Sequence, residues 1–259
     1  MRRVPDPSRP DRTIGLFETL LVLDGSPIEL DAHLDRLGSS VRELFGAELP
    51  PGTSELLRER ASVLTVGRLR LTVVPREDGS LGTAVVAAAV DPNDLFPPWE
   101  RAVALRALVL PGGLGAHKWA DRDRLAATEA SEAAGTVPVV LDVGGEVLEA
   151  SRANVFAIED GVLVTPAADG RILPGIARAR AIETAGALGF EVREERLDVQ
   201  RLLAAGEAFL TGSVRGIEPV RSLGEAELAP PGEVLGELAA EIRRVWSGAG
   251  DAGTRSLAT

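Results

Sequence analysis

The sequence predicts an α+β chain of two mixed domains, a smaller N-terminal one over residues 1–112 and a larger one over 113–259. Three observations carry this. Strand-like runs of period 2 interleave with helix-like runs of period 3.6 along the whole chain. Asp24-Gly25, Gly144-Gly145 and Asp160-Gly161 supply turns between neighbouring strand runs. Pro111-Gly112-Gly113-Leu114-Gly115 is the best linker candidate. With 259 residues, 45% of them hydrophobic, there is material for one large core or two smaller ones.

Taken in order, residues 1–12 read as a disordered lead-in, and Thr13 to Leu23 as a strand rich in Leu, Val, Ile, Phe and Thr. The Asp24-Gly25 turn returns the chain into a short strand near Ile28 to Leu30. From Asp31, the residues Leu34, Leu37, Val41, Leu44 and Phe45 fall on one helical face, and Gly46 ends it. Ser54 to Leu64 reads as a second helix, followed by strands at Arg68 to Val74, Thr83 to Val90 and Ala102 to Leu110. Beyond the linker come an Ala-rich helix over Asp121 to Ala134 and strands at 137–143, 147–150, 153–158 and 162–165. A helix over Gly175 to Leu188, a strand over Phe190 to Leu197, a short helix over Val199 to Ala204 and a strand over Ala208 to Thr211 follow. Glu233 to Trp246 closes the chain as an amphipathic helix, with a frayed end over 247–259.

Composition narrows the chemistry. Without cysteine there are no disulfides, no thiolate metal sites and no cysteine nucleophile, and two histidines leave little for a zinc site, so no metal is expected. A formal charge of -11 argues against a general nucleic-acid role. No apolar run approaches a membrane span, and the basic start lacks the apolar core of a secretory signal, so cytoplasm is the default.

One count stands out: the chain has 27 arginines and a single lysine, Lys118. Arginine matches lysine for solubility and phosphate pairing, but only lysine can shed its proton and act as an amine nucleophile. Either Lys118 is a chance survivor of an arginine-biased composition, or it is kept for imine chemistry.

The surrounding fragments bear on that choice. They run Gly15-Leu16-Phe17-Glu18-Thr19, His33-Leu34-Asp35-Arg36-Leu37, His117-Lys118-Trp119-Ala120-Asp121-Arg122, and Glu149-Ala150-Ser151-Arg152-Ala153-Asn154-Val155-Phe156. Thr165-Pro166, Leu173-Pro174-Gly175-Ile176-Ala177-Arg178, Glu207-Ala208-Phe209-Leu210-Thr211-Gly212-Ser213 and Pro219-Val220 complete the set. In this order and spacing the chain resembles the class IV, fold-type IV pyridoxal-phosphate enzymes. These include branched-chain and D-amino-acid aminotransferases and 4-amino-4-deoxychorismate lyase. The resemblance spans about Gly15 to Leu223 and implies the two-domain, D-amino-acid-aminotransferase-like fold.

It also implies a site. Lys118 falls at the imine-forming lysine, with His117 beside it as a packing or hydrogen-bonding residue. Glu149 falls at the carboxylate that pairs with the pyridine nitrogen; read without the family, it is a solvated strand-end acid after a Gly-Gly turn. Arg36 falls at the phosphate-binding arginine, where the plain reading is an exposed helix arginine. The amides of Ile176 and Ala177, opening a helix, and the Ser213 hydroxyl complete the phosphate cradle. The family often has threonine where Ala177 stands, so one side-chain hydrogen bond is expected to be missing. Asn154 is expected to be structural, and Thr19 and Arg122 are assigned toward the substrate. Arg122 either holds a substrate carboxylate or pairs with Asp121.

The cofactor leaves the reaction open. Branched-chain aminotransferases carry a tyrosine five residues after the lysine; this chain has Asp123 there and no tyrosine at all. Lys118-Trp119-Ala120-Asp121-Arg122 is closer to the short Lys-x-x-Asn-Arg pattern of the lyases, with aspartate for asparagine. The short chain also fits a lyase, whereas Thr211-Gly212-Ser213 resembles the aminotransferase loop. The expectation is therefore lyase activity, with class IV aminotransferase as the alternative and a non-catalytic binding protein of the same fold as a third. The family also implies a homodimer acting on a small amino-acid-like substrate.

Overall fold

The computed structural model describes residues 10–248; the outer ends of the expected lead-in and of the expected frayed tail lie outside them. The chain divides into two compact units, one comprising residues up to Asp91 together with His117–Ala127, the other Pro92–Ala116 and Thr128 onward. The expected boundary after residue 112 lies inside the second unit, just ahead of the return to the first.

The first unit is a four-stranded antiparallel sheet with two helices. After a 3₁₀ turn at Arg12–Ile14 come β1 (Leu16–Leu23), β2 (Ser26–Pro27), α1 (Leu30–Phe45), α2 (Thr53–Ala61), β3 (Val66–Pro75) and β4 (Leu81–Ala89). The sheet order is β2-β1-β3-β4. Gly15, at φ 88, immediately precedes β1, where a Cβ would stand 2.0 Å from the Val73 carbonyl oxygen, so only glycine fits. The α1 stripe, Leu30, Leu37 and Val41, packs with Leu16, Leu20, Leu69 and Leu71 of the sheet in one core. Full burial of each such leucine contributes roughly 1.5–3 kcal/mol. Gly46 stops α1 in the left-handed region at φ 63, its N–H donating to the Arg42 carbonyl at 3.0 Å.

The second unit begins with β5 (Val103–Val109); α3 (Asp123–Ser131) then straddles the division. It continues with β6 (Thr136–Leu141), β7 (Glu146–Ala150), β8 (Ala153–Glu159), β9 (Val162–Thr165) and α4 (Ile176–Ala187). The remainder is β10 (Val192–Glu194), β11 (Leu197–Asp198), α5 (Val199–Ala204), β12 (Glu207–Gly212), β13 (Gly216–Leu223), β14 (Ala226–Glu227) and α6 (Glu233–Trp246). Strands β8-β12-β13-β5-β6-β7 follow one another, and β7 pairs with β8, so the six close into a ring. The ring's core is aliphatic, including Val103, Leu105, Val139, Val155, Leu210 and Val220. Opposite each other on β8 and β12, Phe156 and Phe209 stack with centroids 4.9 Å apart.

Three differences from the sequence expectation have physical causes. Residues 190–197, expected as one strand, split into β10 and β11, which pair with different strands, β9 and β7. The short strand expected at 28–30 sits earlier, at Ser26–Pro27, because Leu30 already opens α1. Strand β13 is not among the expected strands, and it carries Pro219, a residue that is unfavourable in a central strand. It is tolerated because Pro219 lies where antiparallel pairing to β12 ends and parallel pairing to β5 begins, at Val220, followed by a register shift before Ser222. The candidate linker is no loose tether: Gly113, at φ 72, leaves only 2.1 Å between a built Cβ and the Arg171 carbonyl oxygen.

Candidate active site

In the first unit, the segment carrying Lys118 runs beside the start of β1. The Phe17 N–H donates to the Lys118 carbonyl at 2.9 Å, the Ala120 N–H donates to the Gly15 carbonyl at 2.9 Å, and Leu16 bridges Trp119. Trp119 packs against the sheet-helix core. Its neighbour Lys118 places Nζ 4.7 Å from the centroid of the Phe17 ring. Two guanidinium groups share that ring, Arg70 at 3.8 Å and Arg122 at 5.9 Å. Thr19 and Arg70 face each other across β1 and β3, so by strand alternation both lie on the Phe17 face of the sheet. Burial, followed by the charges of Arg122 and Arg68, lowers the Arg70 pKa. His117 takes the hydrogen-bonding place expected of it, Nδ1 lying 3.0 Å from Ser40 Oγ. The Asp121 carboxylate accepts the Asp11 N–H at 2.8 Å, while Arg122 stands over Phe17.

Arg36 is not an exposed helix arginine. On α1, it donates from Nε to Glu18 Oε1 at 2.8 Å and from Nη2 to Oε2 at 2.7 Å. Its side chain is 10% exposed and that of Glu18 1%. His33, one turn earlier, donates from Nδ1 to the same Oε2 at 2.8 Å in the tautomer the carboxylate selects. Burial pushes the Glu18 carboxyl up, but the His33 hydrogen bond and the Arg36 charge outweigh it and hold the pKa down to about 2.

This has a consequence for acid stability. A carboxyl depressed in the folded state stabilises the fold fully above its ordinary value of 4.5 and loses that contribution as pH falls toward about 2. The contribution is on the order of 3 kcal/mol. Denaturant melts at several pH values should show a steeper loss of stability below pH 4.5 in the wild type than in Glu18→Gln. Parallel curves would mean that Glu18 is not depressed.

The second unit gathers the other residues. Glu149 on β7 is 4% exposed, so it is no solvated strand end. Both its oxygens accept the Leu173 N–H, each at 3.2 Å. Asn154, opposite Glu149 on β8, donates from Nδ2 to the Leu173 carbonyl at 3.0 Å, the structural role expected of it. Two steps on, Gly175 caps α4, and a Cβ there would stand 2.0 Å from Asn154 Oδ1. Among the described residues no side chain caps this helix, whose first residues are Ile176 and Ala177. Their amides are among the N–H groups a helix start leaves without intrahelical partners.

The adjoining strand adds Thr211, which faces Asn154 across β8 and β12. It is 3% exposed, and among the described residues its hydroxyl has no hydrogen-bond partner. Ser213 follows in the turn between β12 and β13, half-buried. The sequence reading gave no role to Thr211, Arg70, Phe17 or Glu18. The regular alternation Arg68, Arg70, Thr72 on β3 was the available signal for Arg70, since it puts all three on the face away from the leucine core. For the orphaned Thr211 hydroxyl there was none.

The single lysine among cations in the first unit, and the buried carboxylate and open helix start in the second, are each the kind of group a cofactor-dependent enzyme uses. The model of the amino-transferase class IV family matches residues 15–223, and the chain belongs to that family of pyridoxal-phosphate-dependent enzymes. A candidate branched-chain-amino-acid aminotransferase of Methanocaldococcus jannaschii is 31% identical over 254 residues, 90% of this chain and 88% of that protein. Bacterial branched-chain-amino-acid aminotransferases, that of Escherichia coli among them, are 44% identical over 85 residues. That match spans 33% of this chain and only 28% of their length. Among solved structures, a candidate 4-amino-4-deoxychorismate lyase of Legionella pneumophila superposes with a TM-score of 0.80 at 24% identity, covering 94% of this chain and 96% of that one. The 4-amino-4-deoxychorismate lyase of Pseudomonas aeruginosa gives 0.75 at 26% identity, covering 95% and 97%. The fold is thus fold-type IV, as the fragments implied.

The residues present fit pyridoxal phosphate. The orphaned Thr211 hydroxyl and the uncapped start of α4, where Gly175 leaves no Cβ, suit an anionic group, and Glu149 is a buried acid suited to a protonated ring nitrogen. Among the described residues no helix is long and apolar enough to cross a membrane.

Proposed function

We propose that the chain is a 4-amino-4-deoxychorismate lyase, releasing pyruvate and 4-aminobenzoate. The observation that carries this reading is the cationic face around Phe17, with Arg70 at 3.8 Å, Lys118 Nζ at 4.7 Å and Arg122 at 5.9 Å from one ring. Aminodeoxychorismate carries two carboxylates, one on the ring and one on the enolpyruvyl group, and two guanidinium groups beside the reacting amine suit both. A branched-chain amino acid carries one carboxylate and an aliphatic side chain, which this face does not suit.

In this reading Arg36, the amides of Ile176 and Ala177, and the hydroxyls of Thr211 and Ser213 hold the cofactor phosphate, and Glu149 keeps a proton on the ring nitrogen. Thr19 lines the substrate side. The bound cofactor supplies a ring that takes up the electron pair left when the amine-bearing carbon is deprotonated. Lys118 Nζ would be the base that removes that proton. The C–O bond to the enolpyruvyl group then breaks, the carbocycle becomes aromatic, and the departing enolate takes its proton from Lys118. Arg70 and Arg122 hold the carboxylates throughout.

The same reading makes the protein a homodimeric cytoplasmic enzyme of folate biosynthesis. Holoenzyme given aminodeoxychorismate should release pyruvate and 4-aminobenzoate in equal amounts with no keto acid added, and activity per chain should fall on dilution below the dimer's dissociation constant. A second reading, class IV aminotransferase, is favoured by the Thr211-Gly212-Ser213 loop and by the name of the Methanocaldococcus relative. It holds instead if no pyruvate appears and amino groups pass from an amino acid to a keto acid.

A further inference from the structure

Glu18 is the most deeply buried acid of the first unit, and nothing in the reaction above uses it. It lies on β1, facing α1, and takes three hydrogen bonds, from Arg36 Nε at 2.8 Å, Arg36 Nη2 at 2.7 Å and His33 Nδ1 at 2.8 Å. Compared with apolar packing of equal volume, a buried ion pair adds little net stability, because desolvating both charges offsets much of their attraction. What such a pair does well is fix direction. A guanidinium is planar with five N–H donors in a rigid fork. Glu18 grips one edge of that fork at two points, so the Nη1 edge is turned away from the carboxylate and rotation about the last side-chain bonds is blocked. His33, on the same helix three residues before Arg36, pins the carboxylate itself, so the clamp has a second stage.

We propose that Glu18, held by His33, is a positioning residue that orients Arg36 toward the cofactor phosphate, so that the clamp sets affinity for the phosphate rather than for the pyridine ring. The inference rests on the reading of Arg36 as a phosphate ligand. Its gain is pre-organisation: an unclamped arginine must give up the rotational freedom of a long side chain each time it meets the anion. The clamp also has a cost, since the Glu18 charge opposes an incoming anion. The geometric gain must therefore exceed the electrostatic loss, and the experiment measures that balance directly.

The test compares pyridoxal 5'-phosphate with pyridoxal, which lacks the phosphate but offers the same aldehyde and ring to Lys118. Apo full-length protein is titrated with each, following quenching of tryptophan fluorescence, and the ratio of the two affinities isolates the phosphate contribution. Glu18→Gln should lower that ratio by roughly 10–100-fold, the scale that outer-shell partners carry when they orient a ligating group. His33→Leu should lower it by less, and His33→Asn, which keeps a donor near the Nδ1 position, should restore it. A structural role alone would weaken both ligands in proportion and leave the ratio unmoved, which overturns the proposal, as does a ratio that rises. Arg36→Gln serves as the control on the underlying reading. If it leaves the ratio unchanged, Arg36 does not bind the phosphate and the proposal falls with that reading; if Arg36→Gln lowers the ratio and Glu18→Gln does not, only the clamp is wrong. Should Glu18→Gln not fold, the His33→Leu and His33→Asn pair decides the matter by the same ratio.

Discussion

Lys118→Ala is expected to abolish turnover and covalent attachment of the cofactor while leaving the fold intact. The fold should survive because the segment is held through the Lys118 carbonyl, which accepts the Phe17 N–H, and through Trp119 in the core, not through the lysine side chain. The contact of the Lys118 side chain with the Phe17 ring contributes about 0.5–1 kcal/mol at a partly exposed site. Thermal melts of the apo proteins should therefore nearly coincide. Borohydride followed by intact mass should fix a cofactor adduct on the wild type and none on the variant. Lys118→Arg should do no better, since a guanidinium keeps its charge and is no amine nucleophile. An active Lys118→Arg enzyme would sink the assignment, because no other lysine exists in the chain to take over.

The second large effect is expected at Glu149. Glu149→Gln keeps an oxygen that can accept the Leu173 N–H, so the junction leading into α4 should survive. In the proposed reading, the side chain then lacks the charge that would hold a proton on the ring nitrogen. We expect kcat to fall by roughly 10²-fold or more, the scale of losing a key electrostatic partner in a water-poor site, with cofactor affinity changed far less. A kcat within a few-fold of wild type would reduce Glu149 to a tether for Leu173. Glu149→Ala would not make the distinction, since it removes charge and tether together.

Much of this protein was legible in its sequence, because local rules and tertiary packing agree there. The α1 stripe and its Gly46 stop, the hairpin at Asp24-Gly25 and the closing helix Glu233–Trp246 follow from periodicity and turn chemistry alone. Lys118 was marked by count and by its flanking residues, and the uncapped start of α4 by Gly175-Ile176-Ala177. Strand β13 escaped, and it carries a proline, a local contradiction that only its neighbours resolve, here by a change of pairing partner at Val220. The split of residues 190–197 into β10 and β11 escaped for a related reason, since it depends on which strands lie alongside.

The sequence by itself determined the fold class, the sole amine and the family. Each rests on residue identity or on spacing within one segment. Tertiary structure alone decided burial and partnership. Glu149 as a solvated acid and Glu149 as a buried one are the same letter in the same string, and 4% exposure separates them. Arg70 lies 48 residues before Lys118 in the chain, yet both reach the Phe17 ring because β3 pairs with β1 and the Lys118 segment bridges the start of β1. Glu18 and Arg36 meet because α1 packs back across β1, which turns an arginine that could have been a surface charge into one gripped at two points by a buried acid. Charge pairs and orphaned hydroxyls are made by long-range packing, and sequence distance carries no record of them.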